Sequence, residues 1–295
     1  MVSIKRKKIG GQEYYYLGHT MRKKGKIEYK ERYLGKILPK NVEELKRDFL
    51  KELYEGKWET VINRIKAAYL KEKKSMPESA INKELETFMI KFTYDTQKIE
   101  GSKLTLRDSY NLLEKGITPK GKPIDDVKEA ESHKEVFFDM LKYKKDISMQ
   151  IILKWHNDLF TRTKKDIAGK IRTRQVGIAG SKFTTPFPAE VYPLLREFFK
   201  WYERNKNKIN PVELAALVHL KLVTIHSFSD GNGRISRIVM NFILNNHNYP
   251  MFDIPYKGRN SYYTALERSQ TKKIDFIFLN WFIKKYIKEN KKYLL

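Results

Sequence analysis

Apolar positions divide the chain into a short stretch of strand-like alternation and a long stretch of helical periodicity. Near the start, YYYLGHTMRKKGKIEYKERYLGK carries short aromatic and β-branched runs on either side of a Lys24-Gly25 turn signal, the pattern of two or three antiparallel strands. After Pro39 the period changes. Val42, Leu45, Phe49, Leu50 and Leu53 recur at helical intervals, and Gly56 is expected to end that helix. Ile62, Ile65, Ala68 and Tyr69 carry a second helix, broken by Ser75-Met76-Pro77. A third runs from about residue 79 to Gly101, where glycine suits a left-handed helix end. Further helices are predicted over 105–115, 126–143, 148–160, 190–204, 211–225, 234–246, 260–268 and 274–290. Past residue 40 the one strand-like stretch is RQVGIAGSKFTTPFP, residues 174–188. The expectation is a mainly α protein with one small β element, preceded by a short antiparallel β segment. Its divisions are expected at 1–40, 41–145 and 146–290.

Composition adds a sign to this picture. Lys and Arg total 60 against 35 Asp and Glu in 295 residues, a formal net charge of +25, which favours anionic partners such as nucleotides, nucleic acid or acidic proteins. The first forty residues alone hold twelve Lys/Arg and three Glu, a net +9 (12 − 3). There is no cysteine, so disulfide scaffolds, thiolate zinc sites and cysteine nucleophiles are excluded. The basic N-terminus MVSIKRKKIGG leads into no apolar stretch, unlike a secretory signal, and a cytoplasmic protein is expected.

The densest chemistry lies in HSFSDGNGRISR, residues 226–237. The helix before it opens with Asn210-Pro211, a strong cap-and-start pair, and is apolar nearly all round. The helix after it begins near Arg234. Asp230-Gly231-Asn232-Gly233 therefore lies at a helix N-terminus, where free N–H groups and the helix dipole attract anions and glycines let the backbone approach phosphate. Arg234 and Arg237 stand one turn apart, so both can face the same phosphate side. Asp230 is the type of ligand Mg²⁺ uses when it shares its shell with phosphate oxygens. His226 has the near-neutral pKa wanted of a general base, and Phe228 is expected to anchor the loop in the core.

These twelve residues resemble the signature of the Fic (Fido) proteins, HxFx(D/E)GNGRxxR, at every fixed position. RQVGIAGSKFTTPFPAEV resembles that family's β-hairpin flap, and IPYKGRNSYYTALERSQ the segment closing around adenine. The resemblance runs from about residue 79 to the C-terminus and implies a Fic-type helical bundle. It also implies a protein adenylyltransferase that moves AMP from Mg²⁺-ATP to a Tyr, Ser or Thr hydroxyl of a target protein. His226 would be the base, Asp230 the Mg²⁺ ligand, and Gly231, Asn232 and Gly233 the phosphate cradle. Arg234 and Arg237 would clamp the outer phosphates. Gly180 and Ser181 of the flap, Tyr262 and Gln270 would lie against the nucleotide, with Tyr262 packing on adenine. Gln270 replaces an asparagine frequent in relatives, which leaves its base contact open. Upstream, Thr96-Gln-Lys-Ile-Glu100-Gly101 resembles the inhibitory pattern (S/T)xxxE(G/N), which implies that Glu100 pairs with Arg237 at rest and withholds it from the γ-phosphate.

Other readings keep the fold and change the chemistry: removal of AMP from a modified protein, or use of another nucleotide. A further one is a nucleotide-sensing regulator whose basic N-terminus grips nucleic acid, which the absence of a helix-turn-helix signature disfavours. No membrane partner is expected, and homo-oligomerisation stays open.

Overall fold

The computed structural model describes residues 2–23, 26–39 and 41–295, with the side chains of 22, 23, 26, 43, 44, 47, 51 and 54–57 left undescribed. The Lys24-Gly25 turn lies outside the described residues. Two compact units are present, Met1–Thr60 and Val61–Leu295, and the division falls within the first helix.

In the first unit β1 (Ser3–Ile9), β2 (Gln12–Lys23) and β3 (Lys26–Gly35) form an antiparallel sheet in the order β1-β2-β3. Leu17 and Val2 point to one face and pack with Phe49 of α1 (Val42–Ser75), with Leu34, Leu45, Leu50 and Leu53 around them. Contrary to the expected break, α1 runs as one 34-residue helix through Gly56. A single interior glycine costs a helix only about 1 kcal/mol relative to alanine, and the chain first meets a true stop at Ser75-Met76-Pro77.

The second unit is helical: α2 (Glu78–Ile99), α3 (Leu106–Lys115), α4 (Ile124–Lys142), α5 (Met149–Phe160), α6 (Pro188–Asn205), α7 (Pro211–Ile225), α8 (Asn232–Asn246), α9 (Arg259–Lys272) and α10 (Asp275–Glu289). Local signals set several starts. Thr105 and Asp108 close a capping box on α3, Ser148 caps α5, and Asn210 caps α7 with Pro211 at its first position. Helices α7 and α8 pack along each other at the centre, both buried over most of their length. Helices α6 and α10 cover α7, while α2, α4 and α5 cover α8. Among the described residues no helix is long and apolar enough to cross a membrane.

Residues 174–187 form no strand ladder. The chain does reverse there, at a turn closed by Ser181 N–H on the Ile178 carbonyl, with Gly180 at φ +73°. Its two arms are tied by side chains: Gln175 donates to the Thr185 carbonyl, and the Thr185 hydroxyl to the Val176 carbonyl. The expected hairpin is thus held by side-chain bonds where strands would use backbone ones.

Candidate active site

The α7–α8 connection is short and sharply folded. His226 ends α7 in the left-handed region at φ +53°, and Gly231 precedes α8 at φ +80°. Phe228, 4% exposed, anchors the loop as the sequence predicts, stacking on His156 of α5 at 3.8 Å and 10°. The His156 ring accepts from Gly169 N–H at Nδ1, so its Nε2 carries the proton donated to the Asp230 carbonyl. Burial keeps this ring neutral, lowering its pKa to about 4. A Cβ on Gly231 would fall 2.4 Å from the Phe160 ring, so sterics and backbone angle both require glycine there.

His226 is half-buried. Its Nδ1 lies 3.3 Å from the Val223 carbonyl, which can only accept, so Nδ1 holds the proton and Nε2 is the basic nitrogen. Burial lowers its pKa below the ordinary histidine value, and the Arg172 charge adds to this against the opposing Val223 carbonyl. Arg172, 3% exposed, was not singled out by sequence. It donates to the carbonyls of His226 (2.6 Å), Arg174 (3.0 Å) and Pro186 (2.6 Å), and its own N–H reaches the Ser227 carbonyl. One guanidinium thereby joins the His226 backbone to both arms of the 174–188 turn.

Asp230 is gripped on three sides. Oδ2 meets the Lys164 ammonium at 2.6 Å, while Oδ1 accepts from Arg234 at 2.9 Å and from Gly231 N–H at 2.5 Å. Burial opposes its ionisation, but Arg234, Lys164 and Gly231 outweigh burial and hold its pKa at about 2. Arg234 in turn, 2% exposed, pairs with Glu129 of α4, donates to Gln97 of α2 at 3.1 Å and lies over the Phe160 ring. Its two terminal nitrogens are engaged inside the protein while Nε has no partner, so in this structure Arg234 braces Asp230 and does not line the cavity where the phosphates were expected. Lys164 also reaches Glu129 at 3.0 Å.

An ammonium ion already seated on an ionised, partly exposed carboxylate marks a place that stabilises a cation. Among the described residues no group of three His, Asp or Glu side chains could hold a metal. A divalent ion here would therefore be bound by Asp230 together with oxygens of a bound phosphate, a ligand set that suits Mg²⁺.

Arg237, 1% exposed, has different surroundings. It donates to Glu100 Oε1 at 2.5 Å, to Thr96 Oγ1 at 2.6 Å, to the Thr96 carbonyl at 3.4 Å and to the Tyr262 hydroxyl at 3.3 Å. Tyr262 passes its own proton to His219 Nε2 at 2.9 Å. Glu100 caps α2, and Gly101 beyond it adopts φ +101°. A Cβ on Gly233 would lie 2.3 Å from Glu100 Oε1 and 2.9 Å from Arg237, so the bare glycine makes room for the pair. The sequence reading brought these two residues together across 137 positions.

Beside them opens a cavity of about 620 Å³. It gathers His226, Asn232, Gly233, Arg237, Glu100, Gly180, Ser181, Tyr262 and Gln270 from the sequence-predicted set. Asp230, Gly231, Arg234 and Thr96 stand outside its lining. The flap is fixed over one wall by Lys182 N–H donating to Glu267 of α9 at 2.9 Å. Two of these residues have their side chains engaged by neighbours. Both polar atoms of the Asn232 side chain are bound to the Phe228 backbone, at 2.9 and 2.8 Å, so only its N–H can serve an anion. Tyr262 is 2% exposed and engaged behind Arg237, whereas neighbouring Tyr263 is 42% exposed and offers the wider ring face. Gln270 donates to Thr224 Oγ1 at 3.1 Å. No side chain caps α8, which leaves its first N–H groups directed at the cavity end.

Residues 146–244 match the family model described as the Fic/DOC family. A protein adenylyltransferase Fic from Drosophila yakuba is 35% identical over 184 residues, 59% of this chain and 36% of that protein. The chain thus spans about a third of the length of the curated relatives it matches. Residues 134–508 of Fic-1 from Caenorhabditis elegans superpose with a TM-score of 0.71 at 26% identity, over 87% of this chain and 78% of that one. A Fic domain containing signaling protein from Bacteroides thetaiotaomicron shares the fold with a TM-score of 0.71 at 23% identity, over 79% of this chain and 95% of the other. Sequence, loop geometry and bundle agree: residues 146–244 match the Fic/DOC family, and the helical unit around them shares the fold of Fic proteins.

Proposed function

We propose that this protein is an adenylyltransferase that moves AMP from ATP to a hydroxyl of a target protein, and that Glu100 restrains it. The observation that carries the reading is the convergence on one cavity of an unprotonated His226 Nε2, the uncapped start of α8, Arg237 and the flap. Relatives named protein adenylyltransferase support it. In the reaction the target hydroxyl gives its proton to His226 Nε2 as its oxygen bonds to the α-phosphorus. The bond from that phosphorus to the bridging oxygen breaks, and pyrophosphate leaves with the electron pair. The N–H groups of Asn232 and Gly233 receive phosphate oxygens, and Arg234 keeps Asp230 ionised and oriented. Mg²⁺, when bound with ATP, neutralises phosphate charge. The work of the protein is positioning and charge stabilisation.

At rest Glu100 occupies Arg237, so the guanidinium is not offered to the outer phosphates. Incubation of the purified chain with α-labelled ATP, GTP, UTP and CTP and Mg²⁺ tests the function. Label from ATP on protein, as a covalent AMP in the intact mass, is the expected result. Label from UTP alone would reassign the nucleotide. An unlabelled Glu100→Gly protein, with an adenylylated substrate stripped of AMP instead, would reverse the direction.

A further inference from the structure

The first unit has no part in the chemistry above, and its sheet has two unlike faces. One is apolar and closed by α1. The other carries a lattice of tyrosines and lysines. Tyr33 of β3 lies 5.2 Å from Tyr16 and 6.2 Å from Tyr14 of β2, ring centre to ring centre, which makes one continuous aromatic row. Lys7 of β1 sits over Tyr16 at 4.7 Å and Lys5 over Tyr29 at 4.3 Å. Lys36, just past β3, stands 6.0 Å from Tyr14.

Tyr29 reaches across β2 because Gly18 is bare. A Cβ there would fall 1.9 Å from the Tyr29 hydroxyl. The glycine lets that ring lie against the strand where a side chain would otherwise stand. Tyr33 is 52% exposed and Tyr29 41%. The one acid among these side chains, Glu31, is bound to Lys7 at 2.6 Å.

A solvated face needs charge but not four tyrosines, and the exposed aliphatics of this face, Ile9 and Ile27, stand at its two ends and leave the centre to rings and ammonium groups. Rings in a row with ammonium groups between them suit a polyanion that itself presents π-faces. We propose that this sheet face binds single-stranded polynucleotide, with bases stacked on the tyrosine row and phosphates met by the lysines. Duplex hides its base faces and would meet only the lysines. Because the residues involved lie in β1–β3 and the segment after it, the proposal stands independently of the transferase reading.

The test uses the full chain and fluorescence anisotropy with labelled 15-mers of deoxythymidine and of uridine, the corresponding duplex, and a polyglutamate peptide of equal charge. Either single strand should bind at least tenfold tighter than duplex and polyglutamate. Comparison of the two strands tells DNA from RNA as the preferred source of the same chemistry. Tyr14→Ala and Tyr33→Ala should each weaken binding about tenfold with little change in salt dependence, and Tyr→Phe at either position should restore it. Lys5→Ala with Lys7→Ala should instead flatten the salt dependence. Ultraviolet crosslinking of the wild type should map to the tyrosine row, which keeps the idea testable if a variant misfolds. Equal affinity for duplex would reduce the face to plain electrostatics, equal affinity for polyglutamate would point to an acidic protein, and unaffected tyrosine variants would remove the stacking. Each of these overturns the proposal.

Discussion

Arg234 and Arg237 are the same residue type one turn apart on one helix, both buried, yet their surroundings differ in kind. Arg234 is enclosed by acceptors from three elements, Glu129 of α4, Gln97 of α2 and Asp230 of the loop. Arg237 is held by neutral oxygens of Thr96 and Tyr262 and by a single carboxylate, Glu100, whose side chain is 29% exposed beside the cavity. A buried arginine that binds two carboxylates and an amide is architecture, because withdrawing it strands several partners. A guanidinium whose one anionic partner is partly solvated can exchange that partner for another anion at modest cost.

The largest expected effect follows from the matched side. Arg234→Ala should cost about 3–5 kcal/mol in chemical denaturation, since Glu129 is left as a buried, partly compensated charge. Arg237→Ala should cost less, because Glu100 can turn to solvent. Similar losses in the two variants would erase the distinction.

Next in size is Glu100→Gly. Freeing Arg237 should raise automodification by roughly tenfold or more, a shift of about 1.4 kcal/mol in barrier or binding, and the gain should vanish when Arg237→Ala is added. A stability loss is expected too, because the guanidinium is 1% exposed. Wild-type labelling equal to that of Glu100→Gly, with both folded, would leave the pair as structure only.

A smaller change is expected at Lys164, which shares the Asp230 oxygens with any incoming cation. Lys164→Met should tighten binding of Mn²⁺ with ATP several-fold, read by paramagnetic resonance of free Mn²⁺. Weaker binding would mean that Lys164 itself holds phosphate.

The smallest is a shift in pH dependence. A base works unprotonated, so activity rises as pH climbs through its pKa. Burial lowers the pKa of His226, and the acid limb of kcat/KM for Glu100→Gly should therefore lie below pH 6.5. A midpoint above that value would contradict an unprotonated, partly buried His226.

Helix boundaries were legible in the sequence wherever caps and apolar periodicity agreed, as at Asn210-Pro211 and from Thr105 to Lys115. So were the role of Phe228 and the pairing of Glu100 with Arg237. What escaped is the polar scaffold. Glu129, His156, Lys164 and Arg172 act on the loop across 105, 74, 66 and 54 positions, and nothing local announces such contacts. A signal did exist for Glu129 and His156: polar residues beside Val127 and Ala130, and beside Trp155, on helix faces that turn inward. Asn232 and Tyr262 are a different case. Their positions were found, but a side chain in the right place can be engaged by its neighbours, and only the bonds reveal that.

If the protein transfers AMP as proposed, Arg172 has a consequence for client choice. By fastening the base's carbonyl and the far arm of the flap to one planar group, it makes the reacting nitrogen and the clamp's root a single rigid jig. The distance from jaw to tool is then constant from one client to another. Discrimination among targets would then fall to the part of the jaw's tip outside the cavity lining, residues 182–184, which can vary without disturbing the machine behind it.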